Sequence, residues 1–67
     1  MITDKGFEKM QKLANANGMH IEYSDLLVGS KFAYTIDLYK GDNYVDFVWD
    51  NSRTTLRELR ELIELYS

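Results

Sequence analysis

The spacing of hydrophobic positions changes along the chain, and the first segment has helical spacing. Residues 4–17 place apolar side chains three and four positions apart, with lysines and a glutamate on the other faces. This pattern predicts an amphipathic helix that begins at Thr3 or Asp4, since both residue types cap helix N-termini. Asn17 and Gly18 predict its end, because a left-handed residue commonly follows a helix. The apolar positions are Phe7, Met10, Leu13 and Ala14.

Three segments with a two-residue period follow the first helix and predict β-strands. The first segment covers residues 19–24, where apolar residues alternate with polar ones. An apolar connection at 26–28 leads to Gly29 and predicts a loop. Alternation then resumes over residues 32–38 and again over residues 45–49. The sequence therefore predicts three consecutive strands, which short connections make antiparallel.

The last two predicted strands are joined by a tight turn at Gly41 and Asp42. Glycine stands at the position where a two-residue type II′ hairpin needs a positive φ. Counting back from this turn gives a register that places every large apolar side chain on one face of the sheet. The predicted pairs are Tyr39 with Tyr44, Leu38 with Val45, Asp37 with Asp46, Ile36 with Phe47, Thr35 with Val48 and Tyr34 with Trp49.

The final segment returns to helical spacing. Thr55 and Glu58 form a capping-box pattern at its start. Two amphipathic helices need one apolar sheet face to cover, so residues 1–67 are predicted to form a single two-layer α+β domain. Its order is αβββα, with a three-stranded antiparallel sheet and both helices packed on one face. The apolar stripe of the last helix comprises Leu56, Leu59, Leu62, Ile63 and Tyr66.

Composition narrows the class of protein. With 67 residues, of which 45% are hydrophobic, the chain supports one small core. It has no cysteine, which excludes disulfides, thiolate metal sites and a cysteine nucleophile. No apolar run reaches the length of a membrane span and the first residues lack a secretory signal, so we expect a cytoplasmic protein. A net charge of −3 argues against a general nucleic-acid binder.

Groups that could carry catalysis are few. His20 is the single histidine, and Glu22 is the nearest carboxylate on the same predicted strand face, where the two could form a general-base pair. The ordinary interpretation is a partly exposed histidine without a catalytic role. The sequence contains neither a calcium-loop spacing nor a glycine-rich phosphate loop. We therefore expect no enzymatic activity, no cofactor and no metal.

The sheet face turned away from the helices carries the strongest functional signal. The predicted register puts two carboxylates opposite each other beside a pair of tyrosines, and like charges so placed are unfavourable by about 0.2–1 kcal/mol. Carboxylates among tyrosines suit a protein partner with a basic surface. An ordinary solvated sheet face shows the same pattern, which leaves two interpretations. The predicted contact consists of Asp37, Tyr39, Tyr44 and Asp46, with Glu22, Asp42 and Asp50 at its rim.

Two other surfaces suggest other partners. Basic side chains of the two helices form a nucleic-acid-binding side if the helices lie next to each other. The apolar residues Leu26, Leu27 and Val28 either fold over the core edge or form a protein contact. An open strand edge is compatible with a monomer or a weak homodimer. The basic residues are Lys5, Lys9, Lys12, Arg53, Arg57 and Arg60.

The predicted element order resembles that of double-stranded RNA-binding domains and of HicA-type toxins. Double-stranded RNA-binding domains carry a lysine-rich cluster at the start of the last helix, whereas residues 51–55 contain Arg53 as their single basic residue. The toxins place a catalytic histidine after Gly-Ser, whereas Gly29 and Ser30 are followed by Lys31. RNA binding through that cluster and RNA cleavage are therefore not expected.

In size, charge and element order the chain is also similar to acidic proteins of phages and mobile elements, including anti-CRISPR proteins. Those proteins occupy nucleic-acid-binding surfaces of host proteins. The similarity implies an inhibitor that acts by binding a basic protein surface. Our sequence-based expectation is a small acidic, non-enzymatic protein-binding domain of this kind, with nucleic-acid binding through the helices as the alternative.

Overall fold

Two helices flank a three-stranded antiparallel sheet along the chain, which confirms the predicted architecture. The computed structural model describes residues 2–28, 31–50 and 53–67, and residues 26–28, 31 and 32 by their backbone alone. The elements are α1 (Asp4–Ala16), β1 (Met19–Val28), β2 (Lys31–Lys40), β3 (Asn43–Trp49) and α2 (Thr55–Tyr66). The strands lie in the order β1-β2-β3, with α1 against β1, α2 against β3, and the helices in contact with each other.

The first helix has the predicted ends. The hydroxyl oxygen of Thr3 accepts a hydrogen bond from the Gly6 amide at 3.0 Å, which makes Thr3 the N-cap. Asn17 is the C-cap, and Gly18 follows with a φ of 73°. A Cβ at Gly6 would lie 3.3 Å from Leu56 Cδ2, so α1 and α2 approach closely at this point.

β1 is longer than the alternation of its side chains predicts. It continues through residues 26–28, where a loop was predicted, and pairs Leu26 with Ala33 and Val28 with Lys31. The apolar run ended the two-residue period in the sequence, but backbone pairing does not depend on side-chain alternation. The side chains of Leu26, Leu27 and Val28 lie outside the described part of the structure. Core packing and a protein contact through these residues therefore both stay predictions.

The β2–β3 hairpin has the predicted turn but a different register. Gly41, the first central residue of the turn, has a φ of 63°, as a type II′ turn requires. Asp42, the second central residue, does not have a positive φ, which is also required. Tyr39 lies opposite Tyr44 as predicted, but a β-bulge follows and Leu38 faces Asp46, so Val45 is the extra residue. The predicted pairing of Asp37 with Asp46 is therefore wrong. The pairs beyond the bulge are Asp37 with Phe47, Ile36 with Val48 and Thr35 with Trp49.

The bulge changes which side of β3 enters the core, because a shift by one residue moves every later side chain to the other face. Val48, predicted to face solvent, is 9% exposed and lies opposite the fully buried Ile36. Phe47 and Trp49, predicted in the core, lie on the other face. Val45 packs against the core as predicted. The buried apolar residues are Met10, Ala14, Met19, Ile21, Ile36, Leu38, Val48, Leu59 and Ile63.

The second helix begins at Thr55 with Thr54 as its N-cap, one residue earlier than the predicted capping box, in which Thr55 is the N-cap. The Thr54 hydroxyl donates to the Glu58 carboxylate at 2.9 Å, while the Thr55 hydroxyl donates to the Trp49 carbonyl at 3.3 Å. This second bond ties the start of α2 to the end of β3. Neither helix of the described chain combines the length and the apolar character needed to cross a bilayer.

Candidate functional site

The candidate site is the sheet face opposite the helices, which we call the open face. Alternate residues of β1 and β2 point to this face, and in β3 the bulge separates Tyr44 from Phe47 and Trp49 on the same face. The two strand registers align these residues in rows across the sheet. Each row takes one residue from β1, one from β2 and one from β3. The three rows are His20–Tyr39–Tyr44, Glu22–Asp37–Phe47 and Ser24–Thr35–Trp49.

The first row is a continuous line of rings. His20 stacks on Tyr39, with 5.1 Å between ring centroids and 6° between planes. Tyr39 contacts Tyr44 with 5.8 Å between centroids and a tilt of 53°. Tyr44 is 54% exposed at the outer strand. Asp42 is exposed in the turn that follows β2, near this end of the sheet.

The middle row holds the carboxylates of the open face. Asp37 accepts a hydrogen bond from the Ser24 hydroxyl at 2.8 Å, which fixes its carboxylate between strands. Glu22 Oε2 lies 3.4 Å from His20 Nε2, so the pair predicted from the strand alternation is in contact. Partial burial, together with the negative charges of Asp37 and Asp46, raises the pKa of Tyr44. Like any tyrosine at neutral pH, Tyr44 keeps its phenolic proton, so its hydroxyl is available as a hydrogen-bond donor.

Phe47 and Trp49 are open-face residues that sequence reasoning placed in the core. Their rings meet edge to face with 5.3 Å between centroids, and they are 37% and 39% exposed. Thr35 is buried on the open face beside Trp49. One signal in the sequence indicated an irregular strand. β3 has large apolar residues at both odd and even positions, with Val48 out of phase with Phe47 and Trp49.

Two predicted contact residues, Asp46 and Asp50, lie on the helix side of the sheet, which corrects the predicted site. Asp46 accepts a hydrogen bond from the Tyr66 hydroxyl at 3.2 Å, and this bond raises the pKa of Tyr66. Asp50 is 2% exposed and accepts from the Ile2 amide at 2.7 Å. It is a buried anchor of the fold, whereas the prediction placed it at an exposed rim. The predicted residues that share the open face are Glu22, Asp37, Tyr39 and Tyr44.

The second predicted surface, between the helices, also has a defined shape. Lys9 and Lys12 of α1 line a groove of about 560 Å³ together with Arg60 of α2. Glu64 lies in the same groove, and Lys12 Nζ is 3.7 Å from Glu8 Oε1. The helices thus bring three cations together, with carboxylates beside them.

The chain has no match among protein-family models, curated proteins or solved structures. The carboxylates of Glu22 and Asp37 lie in the middle row of the open face, and none of the three rows contains a lysine or arginine. No described group of three or more metal-ligating side chains is placed to hold an ion. Rings and carboxylates together supply contact area and hydrogen-bond acceptors for a cationic partner.

Proposed function

We propose that this protein is a non-enzymatic domain that binds a protein partner through its open face. The observation that carries the proposal is the set of exposed rings, Tyr44, Phe47 and Trp49, on the sheet face that neither helix covers. Exposed aromatic area stays in contact with water unless a partner covers it, and its removal from water is favourable. Tyrosine, tryptophan and phenylalanine are the residue types enriched in the centres of protein interfaces.

The partner that fits this face has a basic surface rich in arginine. Glu22 and Asp37 occupy the middle row, with rings on both sides of them. A guanidinium group forms two hydrogen bonds with a carboxylate and also stacks on an aromatic ring, whereas an ammonium group does so less well. Asp42, exposed in the neighbouring turn, extends the negative charge past the first row. This arrangement supports charge-directed recognition of a protein.

A narrower proposal is that the partner surface is one that binds nucleic acid. Proteins hold nucleic acid with cations that contact phosphates and with side chains on which bases stack. Carboxylates and rings on one face can occupy the same positions as phosphates and bases. The net charge of −3 supports this direction. In this proposal the chain is a cytoplasmic inhibitor that competes with nucleic acid for the partner.

The test is affinity capture with charge-reversed variants. Glu22→Lys combined with Asp37→Lys reverses the open-face charge, and Glu8→Lys combined with Glu64→Lys makes the same charge change on the helices. We expect wild type and the helix variant to retain a nuclease-resistant protein partner and the open-face variant to lose it. The captured partner should then release labelled nucleic acid when wild-type protein is added. Equal retention by both variants would contradict the proposed face.

A second function is favoured by the basic groove between the helices. Lys9, Lys12 and Arg60 are brought together there, and clustered cations bind phosphate backbones. Nucleic-acid binding of this kind weakens steeply between low and physiological salt. The helix variant Glu8→Lys with Glu64→Lys would strengthen such binding. Binding to RNA or DNA with that salt dependence, unaffected by the open-face variant, would favour this function over the first.

A further inference from the structure

The two edge strands of the sheet, β1 and β3, differ in how the outward-pointing backbone groups are hydrogen-bonded within the chain. At the β1 edge, the Gln11 side-chain amide donates to the Ile21 carbonyl at 2.9 Å and accepts from the Ile21 amide at 2.8 Å. Both outward-pointing groups of Ile21 are thus satisfied by α1. This pair of bonds blocks the centre of the β1 edge against strand pairing.

The outward groups of β3 follow from its pairing with β2. The Asp50 amide donates to the Tyr34 carbonyl at 2.8 Å. Inward-pointing residues alternate with outward-pointing ones in an antiparallel ladder, so Val48 also points its backbone groups toward β2. The N–H and C=O groups of Phe47 and Trp49 therefore point away from the sheet, where a fourth strand would lie.

Half of these outward groups already have partners. The Phe47 amide donates to the Asp46 carboxylate at 2.8 Å, and the Trp49 carbonyl accepts from the Thr55 hydroxyl. The Phe47 carbonyl and the Trp49 amide remain, and no described residue of another element bonds to them. An antiparallel strand would need all four groups. A parallel strand needs only these two, because one of its residues donates to the Phe47 carbonyl and accepts from the Trp49 amide.

A groove of about 390 Å³ runs beside this edge. Phe47, Val48 and Trp49 form one side, and α2 supplies the other side with apolar and acidic residues. Side chains of an added strand alternate between the groove and the open face. The residue opposite Val48 would enter the groove. The α2 residues that line it are Glu58, Glu61, Leu62 and Leu65.

We propose that the β3 edge accepts an extended segment of a protein partner as a fourth, parallel strand. The segment carries an apolar residue opposite Val48 and a lysine or arginine two residues later. Charge complementarity supports this occupant, because both charged residues that line the groove, Glu58 and Glu61, are acidic. Strand addition draws its affinity from backbone bonds and its selectivity from alternate side chains. This inference rests on the proposed function, because it takes from it that the ligand is a protein.

The test uses an end-blocked peptide of about nine residues, long enough for a typical strand. It has leucine at the centre and two positions before it, arginine two positions after it, and threonine elsewhere. We expect millimolar or tighter binding and slower hydrogen exchange at the Trp49 amide, with no change at the Ile21 amide, which Gln11 already holds. N-methylation of the central leucine removes the donor to the Phe47 carbonyl, and we expect it to weaken binding at least about tenfold.

Two variants separate the groove from general charge attraction. Glu61→Lys should weaken peptide binding, whereas Glu8→Lys, with the same charge change on α1, should not. No binding at about 1 mM peptide, equal binding of the N-methylated peptide, or binding without Trp49 protection would overturn the proposal. Dimers that protect the Trp49 amide without peptide would also overturn it, since the occupant would be a second copy. If the Glu22→Lys/Asp37→Lys variant still captures the partner and the peptide still binds the β3 edge, the open-face proposal is contradicted and the strand-addition proposal stands.

Discussion

The hydroxyl of Tyr23 donates a hydrogen bond to the carboxylate of Asp50, with 2.6 Å between Oη and Oδ2. Asp50 also accepts from the Ile2 amide, so one buried carboxylate joins β1, the end of β3 and the segment before α1. The bond spans 27 residues of sequence. Asp50 therefore stabilises the contact between elements that are distant in the chain.

We expect Asp50→Ala to lower the free energy of unfolding by about 3 kcal/mol, because two partly buried hydrogen bonds lose their charged acceptor. Tyr23→Phe removes one of the two bonds and should cost about 1.5 kcal/mol. Urea denaturation monitored by circular dichroism measures both values. A change of less than about 0.5 kcal/mol for Asp50→Ala would show that the carboxylate does not anchor the fold.

The same contact predicts a loss of stability at high pH. Burial, together with the hydrogen bond to Asp50 and its charge, raises the pKa of Tyr23 from 10.0 to about 12. The folded state holds this proton more tightly than the unfolded state, so the contribution is complete below pH 10 and is lost as the pH rises through about 12. Thermal unfolding across this range should show a shallower decline for Tyr23→Phe than for wild type. Parallel declines would contradict the assignment.

The bulge in β3 predicts that substitutions at two adjacent residues cost unequal amounts of stability. Val48→Asp introduces a charge into the core opposite Ile36 and should cost more than about 3 kcal/mol or prevent folding. Phe47→Asp changes the open face and should cost about 1 kcal/mol. Chemical denaturation of the two variants measures the difference. A larger loss for Phe47→Asp would support the register counted from the turn without the bulge.

Trp49 reports on the same register without mutation, since it is the single tryptophan of the chain. On the open face its ring is accessible to solvent, so acrylamide should quench its fluorescence efficiently in the folded protein. Urea-unfolded protein supplies the reference for full exposure. Quenching in the folded state below about a tenth of that reference would indicate a core tryptophan and contradict the bulge.

Gln11 is expected to protect the β1 edge. Gln11→Ala removes two hydrogen bonds to Ile21 and should lower the free energy of unfolding by about 2 kcal/mol. It also uncovers backbone groups that pair with other chains, so we expect concentration-dependent association. Sedimentation measures this association, and Asn15→Ala on the exposed face of α1 is the matched control. Equal behaviour of the two variants would show that Gln11 does not protect the edge.

The positions of the elements were predictable because each depends on neighbours in sequence. Thr3, Gly18 and Gly41 mark boundaries through local backbone preferences, and the helical stripes arise from spacing within a segment. The aromatic pair Tyr39 and Tyr44 was also predictable, since it lies next to the turn. Glu22, Asp37, Tyr39 and Tyr44 were therefore placed on one face of the sheet by the sequence alone, as the structure has them.

The remainder depends on contacts between distant residues. The local alternation in β3 fits a regular strand as well as a strand with Val45 as an extra residue. The burial of Val48 therefore depends on how β3 pairs with β2 and packs against the helices. That pairing moves Phe47 and Trp49 to the open face and Asp46 to the helix side. Asp50 likewise reads as a surface acid in the sequence, and its burial follows from donors 27 and 48 residues away. The elements and their order thus follow from local spacing along the chain, whereas packing between the layers decides which faces the elements present, because side-chain burial is a property of the assembled layers.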